Sequence, residues 1–143
     1  MATISASTLC IAPLDSVWAT LTDLSRYPDW NTVHISFPKG APAALEPSST
    51  FTQKISNMGT SAEVRWTIMT VEPPRLLEFK GLGPMNTSVQ TSYEVETVEG
   101  GTRVTVTNEF TGTMVRIGGR RLTTSAQTAL ETSLAKFKDI VEY

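Results

Sequence analysis

One histidine and one cysteine, His34 and Cys10, bound the polar chemistry open to this chain. A lone histidine is the natural suspect for a general base, because its charge changes near neutral pH. His34 sits in the run TVHISF, where Val33, Ile35 and Phe37 alternate with Thr32, His34 and Ser36. A period of two predicts a half-buried strand with the apolar set inward, so His34 is expected outward, as an exposed strand histidine. One cysteine excludes an internal disulfide, and one histidine beside it makes a zinc site unexpected. A nucleophile elbow is absent. The Gly81-Leu82-Gly83 run is followed by a strand rather than a helix, so it is expected to be a hairpin turn and not a phosphate cradle. Neither a metal nor an organic cofactor is expected.

The remaining candidates are polar side chains in apolar company. Alternation places Val33, Ile35, Phe37, Phe51, Ile55, Val64, Trp66, Ile68, Leu77, Phe79, Val89, Val95, Val104, Val106 and Phe110 on one face of a sheet. Lys54, Glu63, Arg65, Glu78, Glu94, Glu96, Arg103 and Glu109 fall on the other, solvated face. Gln53, Thr91, Tyr93 and Asn108 fall in register with the apolar set. A buried polar group needs a partner, since leaving it without one costs several kcal/mol by transfer estimates. Either the four satisfy one another, the backbone or trapped water, or they are the few polar contacts of a mainly apolar pocket. In the second reading Trp66, Phe79, Phe110 and Phe137 supply the apolar wall, although a core aromatic needs no ligand. Tyr93 and Asn108, near the middle of long strands, are the strongest candidates.

The elements that position these residues follow from pattern. A strand is expected over Thr3–Ile11. Leu14, Val17, Trp18 and Leu21 form a helical stripe, with Pro13 suited to a first turn and Asp15 near the positive end of the dipole. Asp23 is expected to cap a second short helix that Pro28 stops before Trp30. After the Val33–Phe37 strand, Pro38–Ser49 reads as a loop. Strands are expected near Thr50–Asn57, Ala62–Glu72, Arg75–Lys80, Asn86–Thr97 and Thr102–Thr111, broken by turn residues such as Asn57-Met58-Gly59, Pro73-Pro74 and Glu99-Gly100-Gly101. Short links make neighbouring strands antiparallel. From about Gly119 to Tyr143 no proline occurs, and Leu130, Leu134, Phe137 and Val141 share one face. A helix of about 24 residues would run roughly 36 Å, enough to cross a small sheet. Its small residues Ala126, Ala129 and Ser133 leave room toward the sheet. Arg116, Arg120 and Arg121 cluster where it begins, against the dipole. They are either solvated charge or an entrance for an anionic head group, with Gly118-Gly119 as a hinge.

Composition narrows the class. The 143 residues suit one domain, 1–143, that buries roughly two-thirds of its unfolded surface. A hydrophobic content of 40% with 18% charged residues is that of a globular protein. The net charge of −2 gives no electrostatic case for nucleic acid. Nothing approaches the roughly 20 apolar residues of a membrane span, and the N-terminus does not read as a signal peptide, so a cytoplasmic setting is expected.

The order β-α-α-β6-α resembles that of the START-like (Bet v 1-like, SRPBCC) superfamily, which includes the polyketide cyclase/dehydrase and lipid transport proteins. The resemblance is carried by VWATLTDLSRYPDWN at the front, VRWTIMTVEPPRLLEFKG in the middle, GTRVTVTNEFTG late, and the closing helix. It implies an α+β helix-grip fold, a curved antiparallel sheet of about seven strands wrapped around a long C-terminal helix with a cavity between. It also implies that the Gly81–Pro84 loop lies over the cavity mouth. Similar proteins include cyclases, aromatases, lipid and ubiquinone binders and plant hormone receptors. The catalytic arginine and tyrosine arrangements of the cyclases are not recognisable, since Arg65, Arg75 and Arg103 face outward or end a strand. Two functions follow. One is a binding module for a small hydrophobic molecule of lipid, polyketide or isoprenoid type. The other is a cyclase or dehydratase in which Tyr93, Asn108 or Gln53 orients water or a carbonyl. A third reading makes the outer faces a homodimer interface and the cavity residual.

Overall fold

The first and last strands lie side by side at one edge of the sheet. The first strand, β1 (Ala2–Cys10), pairs antiparallel with the last, β7 (Gly101–Thr111), in a register that sets Ile4 beside Asn108 and Cys10 beside Thr102. The computed structural model describes residues 2–57 and 59–142, with the side chains of all of these except 57 and 113–118. Between the two strands come α1 (Leu14–Thr22), a 3₁₀ turn (Leu24–Arg26), α2 (Tyr27–Trp30), β2 (His34–Ser36), β3 (Thr50–Asn57), β4 (Thr60–Glu72), β5 (Leu76–Leu82) and β6 (Ser88–Val98). α3 (Thr113–Glu142) follows β7. The seven strands lie in the order β1-β7-β6-β5-β4-β3-β2, antiparallel throughout. The expected α+β helix-grip order is therefore the observed one.

The apolar stripe of α1 does what its spacing requires, for Val17 and Leu21 are fully buried. The sheet alternation holds likewise across β3 to β7. Phe51, Val64, Trp66, Ile68, Leu77, Phe79, Val95, Val104 and Val106 are all buried. Arg65, Arg75 and Arg103 are exposed, Arg75 pairing with Glu72 and Arg103 with Glu96.

Four local expectations are corrected. Pro28 begins α2 rather than ending a helix, because in the first turn its missing N–H leaves no bond unmade. Asp23 caps only the 3₁₀ turn, its carboxylate accepting from Ser25 N–H. Ile35 is 46% exposed and His34 is the half-buried residue of β2. This strand is three residues long with a register shift between His34 and Ser36, so period two breaks down there. Finally, α3 starts at Thr113, before the Gly118-Gly119 pair. Gly119 (φ 52°, ψ −134°) joins two helical pieces at a kink instead of marking the start.

α3 is fastened along β1. Gln127 Nε2 donates to the Ser5 carbonyl at 3.0 Å, Lys138 Nζ to the Leu9 carbonyl at 2.8 Å, and Ile11 N–H to Glu142 at 2.8 Å. On its other flank Thr32 ties the segment after α2 to the helix, its N–H donating to Ser133 Oγ at 3.0 Å and its hydroxyl to the Ala129 carbonyl at 3.2 Å. Held at β1 and α2, the helix leaves space over the inner face of the central strands.

Candidate functional site

That space is a cavity of about 140 Å³. Its floor is built in rows by the sheet register. Phe79 on β5 stands beside Thr91 on β6, Thr91 beside Asn108 on β7, and Asn108 beside Ile4 on β1. A second row runs Phe51, Trp66, Gly81, Val89, Phe110 across β3 to β7. Tyr27, Trp30 and Asn31 close it from α2 and the residue after it, and Ala126, Ala129, Leu130 and Ser133 close it from α3.

Of the residues singled out in the sequence, Gln53, Trp66, Phe79, Thr91, Tyr93, Asn108 and Phe110 all line this one cavity. Phe137 does not. It is fully buried and meets the Trp30 ring edge-on at 5.1 Å, so it belongs to the core that packs on a wall residue. A helical stripe says which face is inside but not whether a residue meets strand, helix or space. Ala126, Ala129 and Ser133 do supply the room their small side chains suggest. Tyr27 and Trp30 were missed. Their spacing of three places them on one face of α2, a signal that is short but readable. Arg120 and Arg121 are exposed and lie off the cavity, and the Arg116 side chain falls outside the described residues.

The polar atoms of the wall divide into satisfied and unsatisfied. Gln53 is satisfied at both ends. Its Oε1 accepts from Trp66 Nε1 at 2.9 Å, which fixes the amide so that Nε2 faces His34 Nδ1, also at 2.9 Å. Nδ1 must therefore accept, and the His34 proton sits on Nε2. The ring also packs edge-on to Tyr27 and against Phe37. Burial lowers the His34 pKa below its usual 6.5. The unfolded chain then takes up the proton more readily than the folded protein. Stability should fall as pH drops below about 6.5, with no contribution from this group above it. Urea unfolding measured between about pH 5 and pH 8 checks this, and His34→Phe should flatten the acid side of the profile.

Ser133 is satisfied by Thr32. By contrast Asn108 Oδ1 and Trp30 Nε1 are buried without any partner, and both residues line the cavity. Tyr27 and Tyr93 are buried there too. Burial pushes both phenols above their usual value of 10. Both stay protonated near neutrality. Cys10 is buried off the cavity, and burial, opposed by Lys138, raises its thiol to about 11, which makes it a weak nucleophile.

Gly81 was expected in a turn, but it lies inside β5, and the turn follows at Gly83–Thr87, closed by Gly83 N–H donating to the Thr87 carbonyl at 2.8 Å. A Cβ at Gly81 would stand 2.7 Å from both the Trp66 indole and Val64 Cγ1. The missing side chain lets Trp66 lie flat over the strand and reach Gln53. Gly81→Ala should cost about 1–3 kcal/mol by overpacking and should shift the Trp66 indole N–H resonance, as read by urea unfolding and NMR.

The comparisons agree with this geometry. The toxins Rv0910 and MT0934 of two Mycobacterium tuberculosis strains are each 28% identical over 104 residues, covering 73% of this chain and 72% of theirs. The crystal structure of TTHA0849 from Thermus thermophilus superposes with a TM-score of 0.81 at 16% identity, covering 98% of this chain and 97% of that one. CV1439 from Chromobacterium violaceum superposes at 0.78 with 11% identity, over 99% and 97%. At such identities the likeness is one of fold. The pattern defining the polyketide cyclase / dehydrase and lipid transport family matches residues 1–142, and the chain belongs to that family.

Proposed function

We propose that this protein binds a small hydrophobic molecule in the cavity between the sheet and α3. The carrying observation is the pair of buried, partnerless polar atoms, Asn108 Oδ1 and Trp30 Nε1, on an otherwise largely apolar wall. Each costs about 1–3 kcal/mol while unpaired, a cost that a ligand bearing the right polar group would relieve. Binding fits better than acid–base turnover of the cyclase or dehydratase type. Among the described residues the wall offers hydroxyls, amides and two indoles, but no carboxylate, lysine, arginine or histidine. The two phenols hold their protons at neutral pH and can orient a carbonyl without acting as a base. Native mass spectrometry of the purified protein, set beside its denatured mass, tests the reading. A non-covalent extra mass that disappears on denaturation and is absent from Thr91→Trp supports it. An extra mass unchanged in that variant places the ligand elsewhere.

A second reading rests on the 28% identity to the mycobacterial toxins over 104 residues. It gives the protein a growth-inhibiting role, with the cavity as its sensor or effector site. Induced expression in a bacterial host should then arrest growth, and growth equal to an empty-vector control removes this reading.

A further inference from the structure

The wall chemistry also says what kind of molecule enters, an inference that rests on the binding reading above. The first constraint is charge. Among the described residues no charged side chain lines the cavity, so a carboxylate or phosphate buried there would meet no counter-ion and lose its hydration, a cost of several kcal/mol. The second is size. About 140 Å³ is close to the volume of a dry protein cavity that holds one benzene, and well below the 300 Å³ or more usual for drug-sized ligands. The third is hydrogen-bond polarity. Asn108 Oδ1 is an acceptor with nothing to accept.

Register sets Asn108 beside Thr91 on the cavity floor, with Tyr93 its diagonal neighbour on the same face of β6 and β7. We propose that the buried end of the ligand is a neutral, single-ring group bearing a hydroxyl that donates to Asn108 Oδ1. Trp30 and Phe79 flank the ring. A free fatty acid or a phosphorylated isoprenoid does not meet these terms.

Four probes separate the possibilities, with affinities read by NMR chemical-shift titration near neutral pH: phenol, toluene, benzoate and dodecanoate. Phenol should bind about five- to tenfold more tightly than its isostere toluene, the worth of one net hydrogen bond. Benzoate and dodecanoate should bind at least tenfold more weakly than phenol, since each carries its charge into a wall without cations. Asn108→Leu should bring the phenol/toluene ratio close to one while leaving toluene binding in place. Benzoate or dodecanoate binding as tightly as phenol overturns the inference and leaves the cavity reading standing. A phenol/toluene ratio preserved in Asn108→Leu overturns it as well. If none of the four probes perturbs the cavity residues, the binding reading falls and this inference falls with it.

Discussion

Replacing Phe137 with alanine should remove about 3–5 kcal/mol of stability, a large part of the 5–15 kcal/mol that holds a typical domain together. The side chain is fully buried, and its ring meets Trp30 edge-on at 5.1 Å. Loss of the ring removes its transfer free energy and opens a void beneath the cavity wall, where α2 and α3 hold the surroundings from relaxing. Urea unfolding gives the number directly. The same variant separates core from site. Phe137 lies off the cavity, so any affinity that survives should change little at temperatures where the protein stays folded. A loss below about 1 kcal/mol would mean that Phe137 is not packed as described.

The second large effect concerns function. Thr91 is 7% exposed, in the middle of the floor between Phe79 and Asn108. An indole at that position would occupy much of a 140 Å³ space and cover the Asn108 amide. Thr91→Trp should therefore abolish ligand binding, by at least a hundredfold, or about 2.7 kcal/mol. Enlarging a floor residue can strain the sheet by about 1–3 kcal/mol, so Ala129→Leu, which fills the same space from α3, is the paired variant. Either filled cavity in a cooperatively folded protein should bind nothing. Unchanged affinity in both would move the site away from this cavity.

The sheet was legible in the chain because period two repeats over long strands. Gln53, Thr91, Tyr93 and Asn108 stand out as polar residues in an apolar register, and all four reach one cavity. That argument needs length. It fails at β2, where three residues and a register shift turn Ile35 outward and His34 inward. The consequence is chemical, since His34 packs against Tyr27 and Phe37 and accepts from Gln53. A helical stripe likewise places Phe137 inside without saying that it packs on Trp30 and not on the cavity. Gly81 read as turn punctuation because its reason is an indole distant in sequence, brought over it by the pairing of Trp66 with Gly81. Volume and unsatisfied atoms are properties of three-dimensional packing. The orphaned Asn108 Oδ1 and Trp30 Nε1 could not be read from spacing.

Three tryptophans give the most direct test of the cavity as a ligand site. Trp30 and Trp66 line it, whereas Trp18 lies half-buried on α1 and off the wall. The decisive measurement is the set of indole N–H resonances during a titration with toluene, an apolar probe of one ring. The account predicts saturable shifts of Trp30 and Trp66, a stationary Trp18, and loss of the response in Thr91→Trp. A titration in which Trp18 moves as far as the other two, or in which none moves up to the solubility of the probe, would contradict it.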